Sequence, residues 1–237
     1  MEQSEAVFEW VLESTDSAAT LRVRSGAVRE QRALRAVERL RVWLREPGGE
    51  LVEEGAIVPS VSGMAMGTGE AASLLLQGEL RLRSAPAALP ERVLLEYAVE
   101  SKEGVVRGSQ WVQRMHRHGA LVLVPEVEER GDTVLFRLRV RRLQLVAGEY
   151  FPTSERLRVE IFHGVKKLWS SADGVAFLQV LGEVEPRLPG EEAVYEYRWN
   201  GRLASGERLP EGRYSVRLTL PVRPEGYGVT FLWRRRA

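Results

Sequence analysis

Apolar and polar residues alternate with a strict period of two in three segments of the last third of the chain. Leu157, Val159 and Ile161 share one face, and Arg156, Arg158 and Glu160 the other. Tyr195, Tyr197 and Trp199 line one face against Glu196 and Arg198. Tyr214, Val216, Leu218 and Leu220 alternate with Arg213, Ser215, Arg217 and Thr219. This is the pattern of strands with one buried side, and a slip of one residue would turn each apolar row outward.

The same period recurs upstream. Phe8, Trp10 and Leu12 fall on one face of a strand from Ala6 to Glu13, followed by a short strand from Thr20 to Arg24. Val93 to Glu100 alternates with Tyr97 and Val99 inward, and Val134, Phe136, Leu138 and Val140 alternate against Arg137, Arg139 and Arg141. Leu74, Leu76, Leu80 and Leu82 mark another strand, with a bulge expected at Gly78. Arg29 to Arg45 fits two periods: Ala33, Val37, Leu40 and Leu44 have helical spacing, whereas Leu40, Val42 and Leu44 alternate. A strand from about Glu38 is preferred, because Pro47-Gly48-Gly49 then turns it into Leu51–Ile57. Ser60 to Ala72 is rich in small residues and reads as a loop.

Turn dipeptides separate these runs: Glu103-Gly104, Asp173-Gly174, Pro189-Gly190, Asn200-Gly201 and Ser205-Gly206. Short strands between such turns predict an all-β chain of two Ig-like β-sandwich domains in tandem. The expected division is 1–144 and 145–237, with the junction at Gln144 to Gly148.

Composition narrows the chemistry. The 237 residues are 44% hydrophobic, enough to build cores, and the net charge of +1 provides no field to gather nucleic acid. No apolar run reaches the ~18 residues of a membrane span, so no membrane insertion is expected. The start, MEQSEAVFEW, lacks a basic head and an apolar core, so a cytoplasmic location is expected. Removal of a signal peptide would shift that to the periplasm or the cell surface. Cysteine is absent, which excludes disulfides, thiol catalysis and thiolate metal sites.

His116 and His118 share a strand face, but no third ligand is near in sequence, and they read as a polar hairpin end. Gly63 and Gly67 lack the Lys-Ser/Thr ending of a phosphate loop. No serine has a nucleophile-elbow context, and no carboxylate pair can be nominated for acid–base work. Arg137, Arg139, Arg141 and Arg142 read as the solvated face of a sheet, with Glu126, Glu128 and Glu129 nearby in sequence. The expectation is a non-enzymatic protein with no cofactor, no metal and a protein partner.

One stretch is more particular. Phe151-Pro152-Thr153-Ser154, Trp169-Ser170, Phe177, Pro189-Gly190-Glu191, Trp199 and Gly212-Arg213-Tyr214 follow one another from about Leu145 to Leu220. In order and spacing they resemble the bacterial intracellular proteinase inhibitors, the BsuPI-like domains. The opening departs from that family, with Thr153-Ser154-Glu155 in place of Ser-Gly-Gln. The resemblance implies an inhibitor of serine proteinases of subtilisin type that acts through a sandwich loop. Its candidate contact loops are Ser170–Ala176, with Ser170, Ser171, Asp173, Gly174 and the following Phe177, and Gly201–Glu211, with Asn200, Gly201 and Glu207. Phe151, Pro152, Trp169, Trp199, Gly212 and Tyr214 are then mainly structural. The closing hairpin, Trp199 to Tyr214, also resembles the Ig-like modules of flagellar hook-capping proteins. That likeness implies the alternative, a structural or adaptor protein in a bacterial envelope or appendage assembly.

Overall fold

The computed structural model describes residues 8–25, 37–64, 73–86, 89–102 and 104–236. Every regular element among them is a β-strand, so the chain is all-β, as its alternation predicts. It divides into two compact units, Met1–Met115 and His116–Ala237.

The first unit holds β1 (Phe8–Ser14), β2 (Ala19–Ser25), β3 (Val37–Arg45), β4 (Leu51–Ile57), β5 (Ser60–Met64), β6 (Ser73–Arg81), β7 (Arg92–Ser101) and most of β8 (Gly104–His118). One sheet runs β1–β2–β6–β5, and the other joins β4, β3, β7 and β8. Phe8, Trp10, Leu12, Leu21 and Val23 of the first meet Leu40, Val42, Leu44, Val93 and Leu95 of the second in one core. Each fully buried side chain of this size adds about 1.5–3 kcal/mol. The strand from about Glu38 and its hairpin form as expected, with Leu40 opposite Ile57. Residues 6, 7, 29–36 and 103 of the expected elements lie outside the described residues.

Two expectations for this unit are corrected. The reading of Ser60 to Ala72 as a loop fails over Ser60–Met64, which pairs with Ser73–Gln77 as β5; residues 65–72 lie outside the described residues. The ladder is made by backbone groups, so small side chains do not prevent it. Gly78 is no bulge either, because Val23 faces it in an unbroken register. Its missing side chain serves close packing: a Cβ there would run into Ile57 Cγ2.

The second unit holds the end of β8 with β9 (Leu121–Arg130), β10 (Thr133–Arg142), β11 (Arg158–His163), β12 (Lys166–Ser170), β13 (Glu192–Trp199), β14 (Gly212–Leu220) and β15 (Tyr227–Arg235). β13, β10 and β9 form one sheet with the end of β8, and β12–β11–β14–β15 the other. Phe136, Leu138 and Val140 pack with Val159, Ile161, Val216 and Leu218 between them. The contact division therefore falls at Met115/His116 rather than at 144/145, and Gln144–Gly148 is a loop inside the second unit. The cause is pairing over a distance: β10 is hydrogen-bonded along its length to β13, from Val134–Trp199 to Arg141–Glu192.

On the outer face of this sheet Arg137 lies between Glu128 and Glu196, and Arg139 pairs with Glu126. These pairs answer Arg137 and Arg139 with carboxylates, and each adds little stability. Arg142, read as part of the same solvated face, is instead buried, because its side chain turns to Glu149 and the Pro186 carbonyl.

Candidate functional site

The two loops expected to carry partner contacts lie at opposite ends of the second sandwich. Ser171 N–H donates to the Val159 carbonyl, and Val159 faces Leu218 near the end of β14. Gly201–Glu211 leads into Gly212, the first residue of β14. Six residues of strand separate those levels, about 20 Å at ~3.3 Å per residue.

Several candidate residues are occupied in holding the fold. Ser170 and Ser171, expected at a contact loop, are buried. The Ser171 hydroxyl accepts the Val159 N–H at 2.9 Å, and the Ser170 hydroxyl accepts the Ala172 N–H at 3.2 Å. Their oxygens replace the ladder partners that the strands lack where β12 ends. Gly201 is buried too, at φ +72°, and a Cβ would meet the Arg235 guanidinium and the Asp132 carbonyl at 3.0–3.2 Å. Asp173, Gly174, Asn200 and Glu207 are exposed, and Phe177 is half-buried. Asp173 pairs with Lys167 at 3.1 Å, and Asn200 Oδ1 caps the turn by accepting the Arg202 N–H.

The residues that carry the resemblance sit in or beside the core of the second unit. Phe151, Trp199 and Tyr214 are buried. The Trp169 and Trp199 rings lie 4.8 Å apart, and Trp199 Nε1 donates to the Arg202 carbonyl. The Tyr214 hydroxyl donates to the Pro210 carbonyl at 2.9 Å, four residues back, the geometry of a tyrosine corner in a sandwich. Gly212 opens β14 opposite Arg235.

Phe151-Pro152-Thr153-Ser154 has a further task. It anchors the long segment between β12 and β13. Phe151 and Gly182 exchange both backbone hydrogen bonds, at 2.8 and 3.0 Å. Ser154 N–H donates to the Leu178 carbonyl at 2.9 Å, and its hydroxyl accepts the Leu178 N–H at 3.0 Å. Between and beside these anchors Val175, Leu178, Val180 and Leu181 are exposed, Leu178 at 70% and Leu181 at 74%. Sequence reasoning passed over this run, because an apolar residue between strands looks the same whether it is buried or presented. The one signal available was Ser154, a hydroxyl set beside the Phe-Pro turn.

A charged cluster is buried nearby in the same unit. Arg142 pairs with Glu149 at 2.8 Å, with side-chain exposures of 2% and 6%, and its Nε donates to the Pro186 carbonyl. The Tyr227 hydroxyl donates to Glu149. Burial, then the hydrogen bond to Glu149 and its charge, push the Tyr227 phenol up to about 12. These contacts tie β10 and β15 to the segments at Glu149 and Pro186. His118 places its ring 5.7 Å from that of Tyr227, edge to face. Among the described residues no group of three His, Asp or Glu stands close enough to hold a metal ion, and no helix is long and apolar enough to cross a membrane.

No protein-family model matches the chain, and no curated protein matches it. Among solved structures it is similar to a DUF4785 family protein from Legionella pneumophila, at 14% identity over 96% of this chain and a TM-score of 0.28. It is also similar to dimeric latent PorU from Porphyromonas gingivalis, at 12% identity over 98% of this chain and a TM-score of 0.30. The chain spans 56% of the length of the first and 20% of the second.

Proposed function

We propose that this chain is a non-enzymatic protein-binding protein that inhibits a serine proteinase of subtilisin type through a loop of its second sandwich. One observation carries the reading: the run from Val175 to Leu181 exposes four apolar side chains while Ser154 and Phe151 hold its backbone. Exposed apolar side chains lose water when a partner covers them. Backbone already fixed before docking spares the ordering cost that a free loop would incur. The resemblance of Phe151 to Tyr214 to proteinase inhibitors agrees with that use. The presenting segment assigned here is 175–181, in place of Ser170–Ala176 and Gly201–Glu211.

Titration of the full chain against a subtilisin-type proteinase tests this. Near-stoichiometric loss of activity is expected. Full proteinase activity in a micromolar excess of the chain overturns the proposal.

A second reading, a structural or adaptor protein of sandwich modules, has its own observation. β13 pairs with β10 alone among the described strands, and an open strand edge can take a strand from another chain. Light scattering on the eluting protein, with capture of partners from source cells, separates the two. A strict monomer with no assembly partner speaks against the adaptor.

A further inference from the structure

Resting on the inhibitor reading, we infer that the bond offered to the proteinase is Leu181–Gly182, and that the proteinase has an apolar primary pocket. A serine proteinase seats the residue before the scissile bond through that residue's own backbone. Its N–H must be free to donate to the proteinase backbone, its carbonyl oxygen must enter the oxyanion hole, and its side chain must enter the primary pocket. A residue whose backbone groups are already bonded within its own chain cannot meet those demands without first breaking those bonds.

That condition sorts the exposed apolar residues of the segment. Leu178 has its N–H on the Ser154 hydroxyl and its carbonyl bonded by the Ser154 and Val180 N–H groups. Val180 has committed its N–H to Leu178, and Val175 has committed its N–H to the Ala172 carbonyl. Leu188 gives its N–H to Glu191 and accepts from the Glu191 backbone. Leu181 differs from all four: among the described residues neither its N–H nor its carbonyl has a backbone or side-chain partner, and its side chain is 74% exposed.

The residue that follows supplies the second half of the device. Gly182 is fixed to Phe151 through both its N–H and its carbonyl. Arg156 lies 4.7 Å over the Phe151 ring, and its guanidinium occupies the space that a Cβ on Gly182 would take. A side chain at 182 would displace the Arg156 guanidinium from this place. In the reaction the proteinase serine oxygen bonds to the Leu181 carbonyl carbon as the carbon–nitrogen bond to Gly182 breaks. The serine proton passes through the proteinase's base to the Gly182 nitrogen. That amine stays hydrogen-bonded to the Phe151 carbonyl, and Leu178 stays on Ser154, so both ends remain in place. The amine then re-forms the peptide bond and the serine recovers its proton, which outpaces release and hydrolysis. An ordinary loop would lose its new amine terminus to solvent.

The test uses the full chain, subtilisin and trypsin, with wild type, Leu181→Lys and Leu178→Lys. The side chains at 181 and 178 are exposed, and equal thermal midpoints check that all three fold. Wild type inhibits subtilisin, and Leu181→Lys raises the subtilisin inhibition constant about 30-fold or more, the loss expected for a central anchor. It also gains inhibition of trypsin, which Leu178→Lys does not. Chain recovered from the acid-quenched complex carries a new terminus at Gly182. Subtilisin inhibition unchanged in Leu181→Lys overturns the inference and leaves the inhibitor reading standing. Wild type cut at Gly182 and released as an ordinary substrate supports the bond and overturns the inhibitor. Wild type neither inhibiting nor cut overturns both.

Discussion

Ser154 holds Leu178 by both of its backbone groups, accepting its N–H with the hydroxyl and donating the Ser154 N–H to its carbonyl. The two residues are 24 positions apart, and this pair fixes one end of the presented segment. Ser154→Ala removes the hydroxyl and leaves the other bond. It is expected to cost about 0.5–1.5 kcal/mol, most of it local. Hydrogen exchange at the Leu178 amide should accelerate, with exchange in β14 unchanged.

The Arg142–Glu149 pair predicts a larger effect. Glu149→Ala leaves a guanidinium buried without its counter-charge, and about 3–5 kcal/mol of stability is lost. Arg142→Met combined with Glu149→Gln removes both charges and recovers part of that loss. Denaturant midpoints of the single and double variants check this.

Alkaline pH acts through the phenols. The Tyr227 phenol lies at about 12 in the folded chain, against 10 ordinarily, so the folded state holds its proton more tightly than the unfolded one. That contribution is fully present below pH 10 and is lost as pH rises from 10 to about 12. Burial raises the Tyr195 and Tyr197 phenols as well, so Tyr227→Phe removes only part of the alkaline loss. Unfolding free energies of wild type and variant should converge between pH 10 and 12.

Two glycines of one loop separate backbone strain from crowding. Gly201 and Gly206 both have positive φ, +72° and +86°, but only at Gly201 does a Cβ meet neighbours. Gly206→Ala is expected to cost about 1 kcal/mol and Gly201→Ala about 2–3 kcal/mol. Equal costs for the two would show that Arg235 gives way freely.

By itself the sequence determined the strands and their buried faces. Tyr214, Val216, Leu218 and Leu220 are all buried as their alternation requires, because period two is a local property of an extended chain. It also marked the residues that build the second sandwich's frame, such as Trp169, Trp199 and Tyr214. Tertiary structure alone decided three other matters. The ladder between β5 and β6 is backbone work that small side chains do not advertise. The unit boundary moved to 115/116 because β10 pairs with β13 across some fifty residues, and long-range pairing leaves no periodic trace. Ser170 and Ser171 are buried because their hydroxyls point inward to cap backbone groups, while Leu178 and Leu181 stand in solvent. A hydroxyl or a leucine reads the same in sequence whichever way it points. Which one is buried depends on the strand ends and anchors that meet there only once the chain has folded.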